Sequence, residues 1–271
     1  MALVTVVNGS PHTDGYTSEL VARVVAGIEG AGASADVVPL RDYRIEPCVN
    51  TAGWPCWPDG PCSHVEDDTP LVKACVEAGD GLVIACPVYW SSINGLTKNF
   101  LDKMRLAGFA GKPALAITVA GGSGSGMVLA LRALHGFFGW GWRPLAPLPV
   151  SRFNYEQALL EADARGREIA AAALAGPRPF ASAAEQWRWE AALPYVDWRL
   201  LEEKLYLAGL VVENAPSAPE TAREDWRQPA MLSTRRAVWP QPPAWKRLPM
   251  RLRRLMNGAA PYGVRPARPD R

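Results

Sequence analysis

Residues 2–20 read Ala2-Leu3-Val4-Thr5-Val6-Val7-Asn8-Gly9-Ser10-Pro11-His12-Thr13-Asp14-Gly15-Tyr16-Thr17-Ser18-Glu19-Leu20. Ala2–Val7 is an almost unbroken apolar run rich in valine, the pattern of a strand covered on both faces. Asn8-Gly9-Ser10-Pro11 is a turn. A helical pattern follows from about Thr17 to Ile28, with Leu20, Val21, Val24 and Val25 on one side, and Gly30 and Gly32 close it. A buried strand that runs through a turn into an amphipathic helix is the opening unit of a parallel α/β sheet.

The same alternation continues. Ala35–Leu40 reads as the second strand, Leu71–Ala78 as a helix, Gly81–Cys86 as a third buried strand and Leu96–Leu106 as a helix. Pro113–Val119 is a fourth strand, Met127–Phe138 a helix, Pro144–Val150 a poorer fifth strand, and Tyr155–Ala175 a long Ala-rich helix. Five strands, each followed by a helix or crossover, predict a doubly wound five-stranded parallel sheet with helices on both faces and right-handed crossovers.

Composition changes near Pro177. Residues 1–176 carry 13 Lys/Arg against 17 Asp/Glu, and residues 177–271 carry 16 against 10, so the net charge turns from −4 to +6. The domain reading is therefore 1–176 as an α/β domain and 177–271 as a Trp-rich, basic, mostly helical or irregular extension. Within it, Pro194–Leu210 could hold a helix, and residues 187–210 are expected to pack on the domain or across a dimer, their tryptophans helping to cover the ligand. Basic residues with interleaved tryptophan could suggest nucleic acid, but +6 over 95 residues is thin support, so nucleic acid is not expected.

No apolar run approaches the ~20 residues that a membrane helix requires, and the start lacks the basic and apolar regions of a signal peptide. The expectation is a cytoplasmic protein away from membranes. Five cysteines, an odd number, fit reduced thiols rather than a disulfide framework. The eleven tryptophans are many for this length, and some are expected to line an interface or pocket.

Ligands of an open α/β sheet bind beyond the carboxyl ends of the strands, where strand order reverses. Three informative turns follow strands. Ser10–Ser18 supplies hydroxyls and opens a helix, whose first-turn amides and positive dipole end suit a phosphate dianion; the bland alternative is an N-capped helix after a turn. The turn has no lysine and no Walker spacing, which argues against a nucleoside triphosphate. Pro87-Val88-Tyr89-Trp90-Ser91-Ser92 puts two aromatics and two hydroxyls at the end of a buried strand, where they can wall a flat heteroaromatic ring or merely cap the core. Ala120–Gly126, four of whose residues are glycine, lets a ligand approach the backbone closely, or is simply flexible.

Taken jointly and in order, these segments resemble the NADPH-dependent FMN reductase and iron–sulfur flavoprotein family. Gly9–Ser18 resembles its GSPRxDGNT phosphate loop. Pro87-Val88-Tyr89-Trp90, continued by Gly95, Leu96, Lys98, Phe100, Leu101 and Asp102, resembles its PVYWxxxxGxLKxFLDR flavin segment. Pro47-Cys48 and Gly60-Pro61-Cys62, with Asp67-Asp68, look like the ends of its cysteine loop. The resemblance implies a flavodoxin-like fold of strand order 2-1-3-4-5, bound FMN with NADPH or NADH as co-substrate, and a homodimer or tetramer. It also implies site residues. Ser10, His12, Thr17 and Ser18 would meet the phosphate, with Tyr16 beside them; Pro87, Val88, Tyr89, Trp90, Ser91 and Ser92 would line the ring; Gly121 and Gly122 would approach its far side.

The chain departs from the family at three places. His12 stands where Arg or Lys is usual, and Tyr16 where Asn is frequent, which weakens the phosphate grip while leaving the backbone amides. The cysteines are spaced Cys48-x7-Cys56-x5-Cys62, with Thr51 at an expected ligand position, one thiolate short of a cluster; His64 could complete a zinc site. The expectation is no metal and a vestigial loop packed by Trp54 and Trp57.

The implied activity is NAD(P)H-dependent reduction of a flavin, quinone or similar aromatic acceptor. The flavin carries the chemistry, so no catalytic side chain is assigned; His135, inside an apolar helix, reads as structural. Two other readings stand beside it: an electron-transfer flavoprotein serving a protein partner, with the basic tail as docking surface, and a scaffold that has lost FMN.

Overall fold

The structure is a computed structural model that describes residues 1–48, 66–104, 106, 108–121, 124 and 126–194. All of these lie within the compact unit Met1–Ala218.

Strand β1 (Leu3–Asn8) runs into helix α1 (Tyr16–Gly30), and β2 (Ser34–Pro39) into a 3₁₀ turn at Leu40–Asp42. Helix α2 (Thr69–Ala78) leads to β3 (Gly81–Tyr89), the short β4 (Ser92–Ile93) and α3 (Gly95–Lys103). Then come β5 (Pro113–Ala120), α4 (Met127–Phe138), β6 (Arg143–Pro144), β7 (Leu148–Ser151), α5 (Tyr155–Leu174) and α6 (Ala183–Ala191). The parallel order is β2-β1-β3-β5-β6, with β7 also pairing β5 and β4 folding back antiparallel on β3. With β6 and β7 as two halves of one edge strand, this is the expected 2-1-3-4-5 order.

Side chains at alternate positions of each strand feed opposite cores. Val4, Val6, Val83, Ala85, Leu115 and Ile117 meet α1 and α5, while Val7, Leu82, Ile84 and Ala116 meet α2, α3 and α4. Helices α1 and α5 cross closely because both contacts are glycine. A Cβ at Gly27 would lie 2.1 Å from the Asp163 carbonyl oxygen, and one at Gly166 2.2 Å from that of Val24.

The fifth strand is interrupted. β6 pairs only with Pro113 and Ala114, and pairing resumes at Ile117 with Leu148. Pro144, Pro147 and Pro149 cannot donate to a ladder, a defect that only an edge position tolerates. Residues 178–191 cover this edge. The Arg178 amide donates to the Gly111 carbonyl (2.9 Å), and the Trp189 indole N–H to the Pro144 carbonyl (2.8 Å). The Arg143 guanidinium lies 4.6 Å from the ring centre of Phe180 and 4.2 Å from that of Trp189. Pro144 pairs near the start of β5, so Trp189 sits at the opposite end of the sheet from the turns singled out above. It does not cover them, contrary to the expectation for the tail tryptophans. The side chain of Trp187, and Pro194–Leu210 beyond Pro194, lie outside the described residues.

Candidate functional site

Strand register fixes a common rim. Asn8 aligns with Pro39 and Ala85, Pro87 with Val119, and Ala120 with Ser151. The three turns therefore leave the sheet at one level.

The first turn is held from within. Buried Asn8 accepts the Ser10 amide (3.0 Å) on Oδ1 and donates through Nδ2 to Ser18 Oγ (3.2 Å). Ser10 Oγ accepts the His12 amide (3.1 Å), and Ser18 Oγ donates to the His12 carbonyl (3.2 Å), which also receives Arg41 Nη1 (3.3 Å). The α1 N-cap is Gly15, and no side chain caps the helix. Its first-turn amides therefore open onto the turn with the dipole's positive end. Beside them lies an open hollow of about 480 Å3 lined by Thr13, Asp14, Gly15, Tyr16, Ser18 and Glu19.

The second turn is a hairpin rather than a loop. β3 continues past Cys86 to Tyr89, and Val88 and Tyr89 pair antiparallel with Ile93 and Ser92. The two-residue connection is of the type that takes positive φ at both positions, and Trp90 (φ 49°) and Ser91 (φ 65°) adopt it without being glycine. Left-handed backbone costs about 1–2 kcal/mol per residue, and such strain collects at functional sites. It holds the Trp90 ring fully out in solvent, with Tyr89 half exposed behind it.

These turns touch one another. The Gly9 amide donates to the Ala85 carbonyl (2.8 Å), and Asn94 Nδ2 to the Gly9 carbonyl (2.7 Å). Asn94 caps α3 and accepts the Thr97 hydroxyl at 2.6 Å; a Cβ on Gly9 would lie 2.1 Å from that hydroxyl oxygen. Gly126 (φ +83°) backs onto Ser91, whose Cα would be 2.1 Å from an added Cβ. Gly121 faces the Tyr16 ring at 3.4 Å from its own would-be Cβ. Tyr16 in turn packs edge-on against Tyr155 (4.6 Å), whose hydroxyl donates to Glu19 Oε2 at 2.5 Å. Burial and that carboxylate push the Tyr155 phenol well above its usual range, so it stays a neutral donor.

Ser10, His12, Tyr16, Thr17, Ser18, Pro87, Val88, Tyr89, Trp90, Ser91, Ser92 and Gly121 thus lie on three turns that meet at one rim, while Gly122 lies outside the described residues. Sequence reasoning placed Asn8, Asn94 and Gly126 in the turns without a locking role, and missed Thr97 and the Glu19–Tyr155 pair. Asn is a favoured residue at a helix N-cap, the one sequence signal by which Asn94 could have been found.

The base of the cysteine loop is fixed by a buried ion pair, Lys103 to Asp67 Oδ2. Asp67 also accepts the Glu46 amide (2.9 Å) and the Thr69 amide (3.0 Å). Cys56, Cys62 and His64 lie outside the described residues. Burial pushes the Cys86 thiol up to about 12, and it is a packing residue.

The donor set suits FMN: uncapped helix amides and hydroxyls for a phosphate ester, an aromatic strained hairpin for a ring, and a glycine opposite. Fold and rim define a flavodoxin-like α/β protein. The chain belongs to the NADPH-dependent FMN reductase family, whose model matches residues 2–152. That makes it an oxidoreductase that uses FMN and a reduced nicotinamide. An iron–sulfur flavoprotein of Methanocaldococcus jannaschii is 27% identical over 136 residues, 49% of this chain and 69% of that one. The NADPH azoreductase of Bacillus sp. is 29% identical over 132 residues, 49% of this chain and 66% of its own. Alignments to the curated relatives span 42% to 70% of their lengths. Among solved structures, RosB with bound 8-demethyl-8-formylriboflavin-5'-phosphate is similar in fold, with a TM-score of 0.53 at 17% identity, over 70% of this chain and 86% of that one.

Proposed function

We propose that the protein oxidises NAD(P)H and delivers the electrons to a flavin, quinone or similar small aromatic acceptor. The observation that carries this is the convergence of residues 9–18 and 87–94 with Ala120, Gly121 and Gly126 on one rim. In the proposed site the α1 amides with Ser10, His12, Thr17 and Ser18 hold the phosphate, and Tyr16 screens it from the Gly121 side. The hairpin Pro87–Ser92 walls the ring, with Gly121 and Gly122 opposite. Bound FMN supplies hydride acceptance and onward electron transfer. The protein's part is orientation, exclusion of water, and the rigid hairpin that leaves one aromatic face open to stacking partners. No side chain is assigned a proton-transfer role.

Residues 1–176 form the flavin domain in this reading, and 177–271 an extension that begins as a strap on the sheet edge. Tyr16, Tyr89, Trp90 and Phe153, all exposed near the rim, support a homo-oligomer that buries them. Among the described residues no helix is long and apolar enough to cross a membrane; a cytoplasmic location is part of the proposal. The second reading, an electron-transfer flavoprotein serving a protein partner, is favoured by relatives named iron–sulfur flavoproteins.

The test is a visible spectrum of the purified chain titrated with FMN, followed by NAD(P)H oxidation with a quinone. Sustained turnover supports the first reading; bound FMN without turnover favours the second. Failure to take up FMN overturns both.

A further inference from the structure

We propose that Arg41 supplies the cation for the phosphate of FMN, a charge that the phosphate turn itself lacks; the inference rests on the flavin reading above. Residues 9–19 contain Asp14 and Glu19 and no lysine or arginine. A phosphate monoester carries about −1.5 to −2 charges at neutral pH, whereas a helix start offers roughly half a positive charge. Amides and hydroxyls alone would leave the dianion beside two carboxylates without a full counter-charge.

Arg41 sits in the 3₁₀ turn Leu40–Asp42, directly after β2, whose last residue Pro39 is in register with Asn8. It therefore rises at the same rim, from the neighbouring strand. Its Nη1 donates to the His12 carbonyl (3.3 Å), the oxygen that also receives Ser18 Oγ at 3.2 Å. One carbonyl thus separates the guanidinium from a hydroxyl of the phosphate turn. Arg41 Nε is buried without a hydrogen-bond partner, and Asp42 Oδ1 lies 3.6 Å from it. Asp42 is well exposed, whereas only 22% of the Arg41 side chain is, so the cation is held inward. A guanidinium has five N–H donors in a rigid fork, and the His12 carbonyl takes one of them. The remaining Nη donors, rather than the buried Nε, match phosphate oxygens in charge and geometry.

The assignment also accounts for the departure at position 12. The cation that the family places in the turn arrives here from the end of β2, and the His12 backbone, not its side chain, ties it in place. The 2′-phosphate of NADPH offers the same chemistry. The bond from Arg41 to the phosphate turn itself assigns it to FMN.

The experiment titrates FMN and riboflavin, which lacks the phosphate, into the full-length protein and its Arg41→Gln and Arg41→Lys variants, followed by flavin fluorescence. Arg41→Gln should weaken FMN about tenfold or more and leave riboflavin within about twofold, and Arg41→Lys should recover most of the loss. Added salt should weaken FMN binding to the wild type more than to Arg41→Gln. Equal losses for both flavins, or an unchanged FMN affinity, would overturn the assignment. So would an unchanged FMN affinity with a selective rise in KM for NADPH over NADH, which would give Arg41 to the nicotinamide nucleotide. If Arg41→Gln does not fold, Arg41→Met, which also lacks the charge, takes its place against the same two flavins and in the same salt series. Wild-type protein that binds neither flavin overturns the underlying flavin reading instead.

Discussion

Asn94 Nδ2 donates to the Gly9 carbonyl at 2.7 Å, while its Oδ1 caps α3 through the Thr97 hydroxyl and amide. One side chain therefore joins the phosphate turn to the helix that follows the hairpin. Asn94→Ala removes a cap worth about 1 kcal/mol and leaves a buried carbonyl without its donor, a further 1–3 kcal/mol or so. The expected outcome is a loss of about 2–4 kcal/mol in urea unfolding, with weaker FMN binding. Asn94→Asp keeps the cap, loses the donor and sets a buried carboxylate oxygen against the Gly9 carbonyl, so it should lose both stability and FMN affinity although α3 stays capped. Equal FMN affinity in all three proteins would show that the turn holds its shape without Asn94.

Gly126 combines φ +83° with direct contact to the Ser91 backbone. Alanine there meets both a backbone penalty of about 1–2 kcal/mol and a collision that only movement of the hairpin relieves. Gly126→Ala should therefore lower stability by at least that amount and displace Trp90, seen as a change in tryptophan emission. Gly15, whose added Cβ would meet nothing within 4 Å, is the control; Gly15→Ala should leave the emission unchanged.

Ser91 holds its positive φ without glycine's freedom. Ser91→Gly should then raise stability by about 1 kcal/mol, measured as a higher Tm. If the strain serves to present Trp90, the same variant should bind FMN or the acceptor more weakly as the hairpin loosens. A variant that is both more stable and fully active would mean that the strained turn has no functional part.

Much of this was legible in the sequence because parallel strands buried on both faces are nearly continuous apolar runs, and helix α4 falls on Met127–Phe138 as read. The rim was legible because Gly, Ser and aromatic residues cluster after those runs. The hairpin was not: Val88 and Tyr89 continue a strand whose pattern stops at Cys86-Pro87, and a Trp-Ser turn at positive φ carries none of the usual Asn-Gly signal. The split edge strand was hidden because Pro144, Pro147 and Pro149 weaken a strand without saying where it breaks. Helix α6 was missed because Ala183–Ala191 has little apolar periodicity; it is held by Ser182 capping Glu185 and by Trp189 on the Pro144 carbonyl.

Burial pushes the Asp67 carboxyl up, but Lys103 and the Thr69 and Glu46 amides outweigh it and hold the group at about 2, below its ordinary 3.8. The folded state therefore binds this proton less readily than the unfolded chain. Its contribution is complete above the unfolded value and is lost as pH falls from near 3.8 through about 2. The size is about 2 kcal/mol at neutral pH. Asp67→Asn should flatten the stability–pH curve over that window. It should also cost about 3–5 kcal/mol at neutral pH, because Lys103 stays buried without its counter-charge. Urea midpoints at pH 7, 4 and 2.5 or so check both; an unaltered acid limb would place the titration elsewhere.

Trp189 lies on Pro144, opposite Ala114 in β5, and the rim begins at Ala120. Six residues of strand put about 20 Å between them. Trp189→Ala removes the indole bond and the ring beside Arg143, and uncovers the β6 edge; the expected loss is about 2–4 kcal/mol. Trp189→Phe, which keeps a ring and loses one hydrogen bond, should cost about 1 kcal/mol. Neither should alter FMN affinity or the KM for the acceptor by more than about twofold, since the strap steadies the sheet from the end remote from the ligand. A selective change in acceptor KM without loss of stability would mean that Trp189 reaches a site by another route, for which a second copy of the chain is the available source.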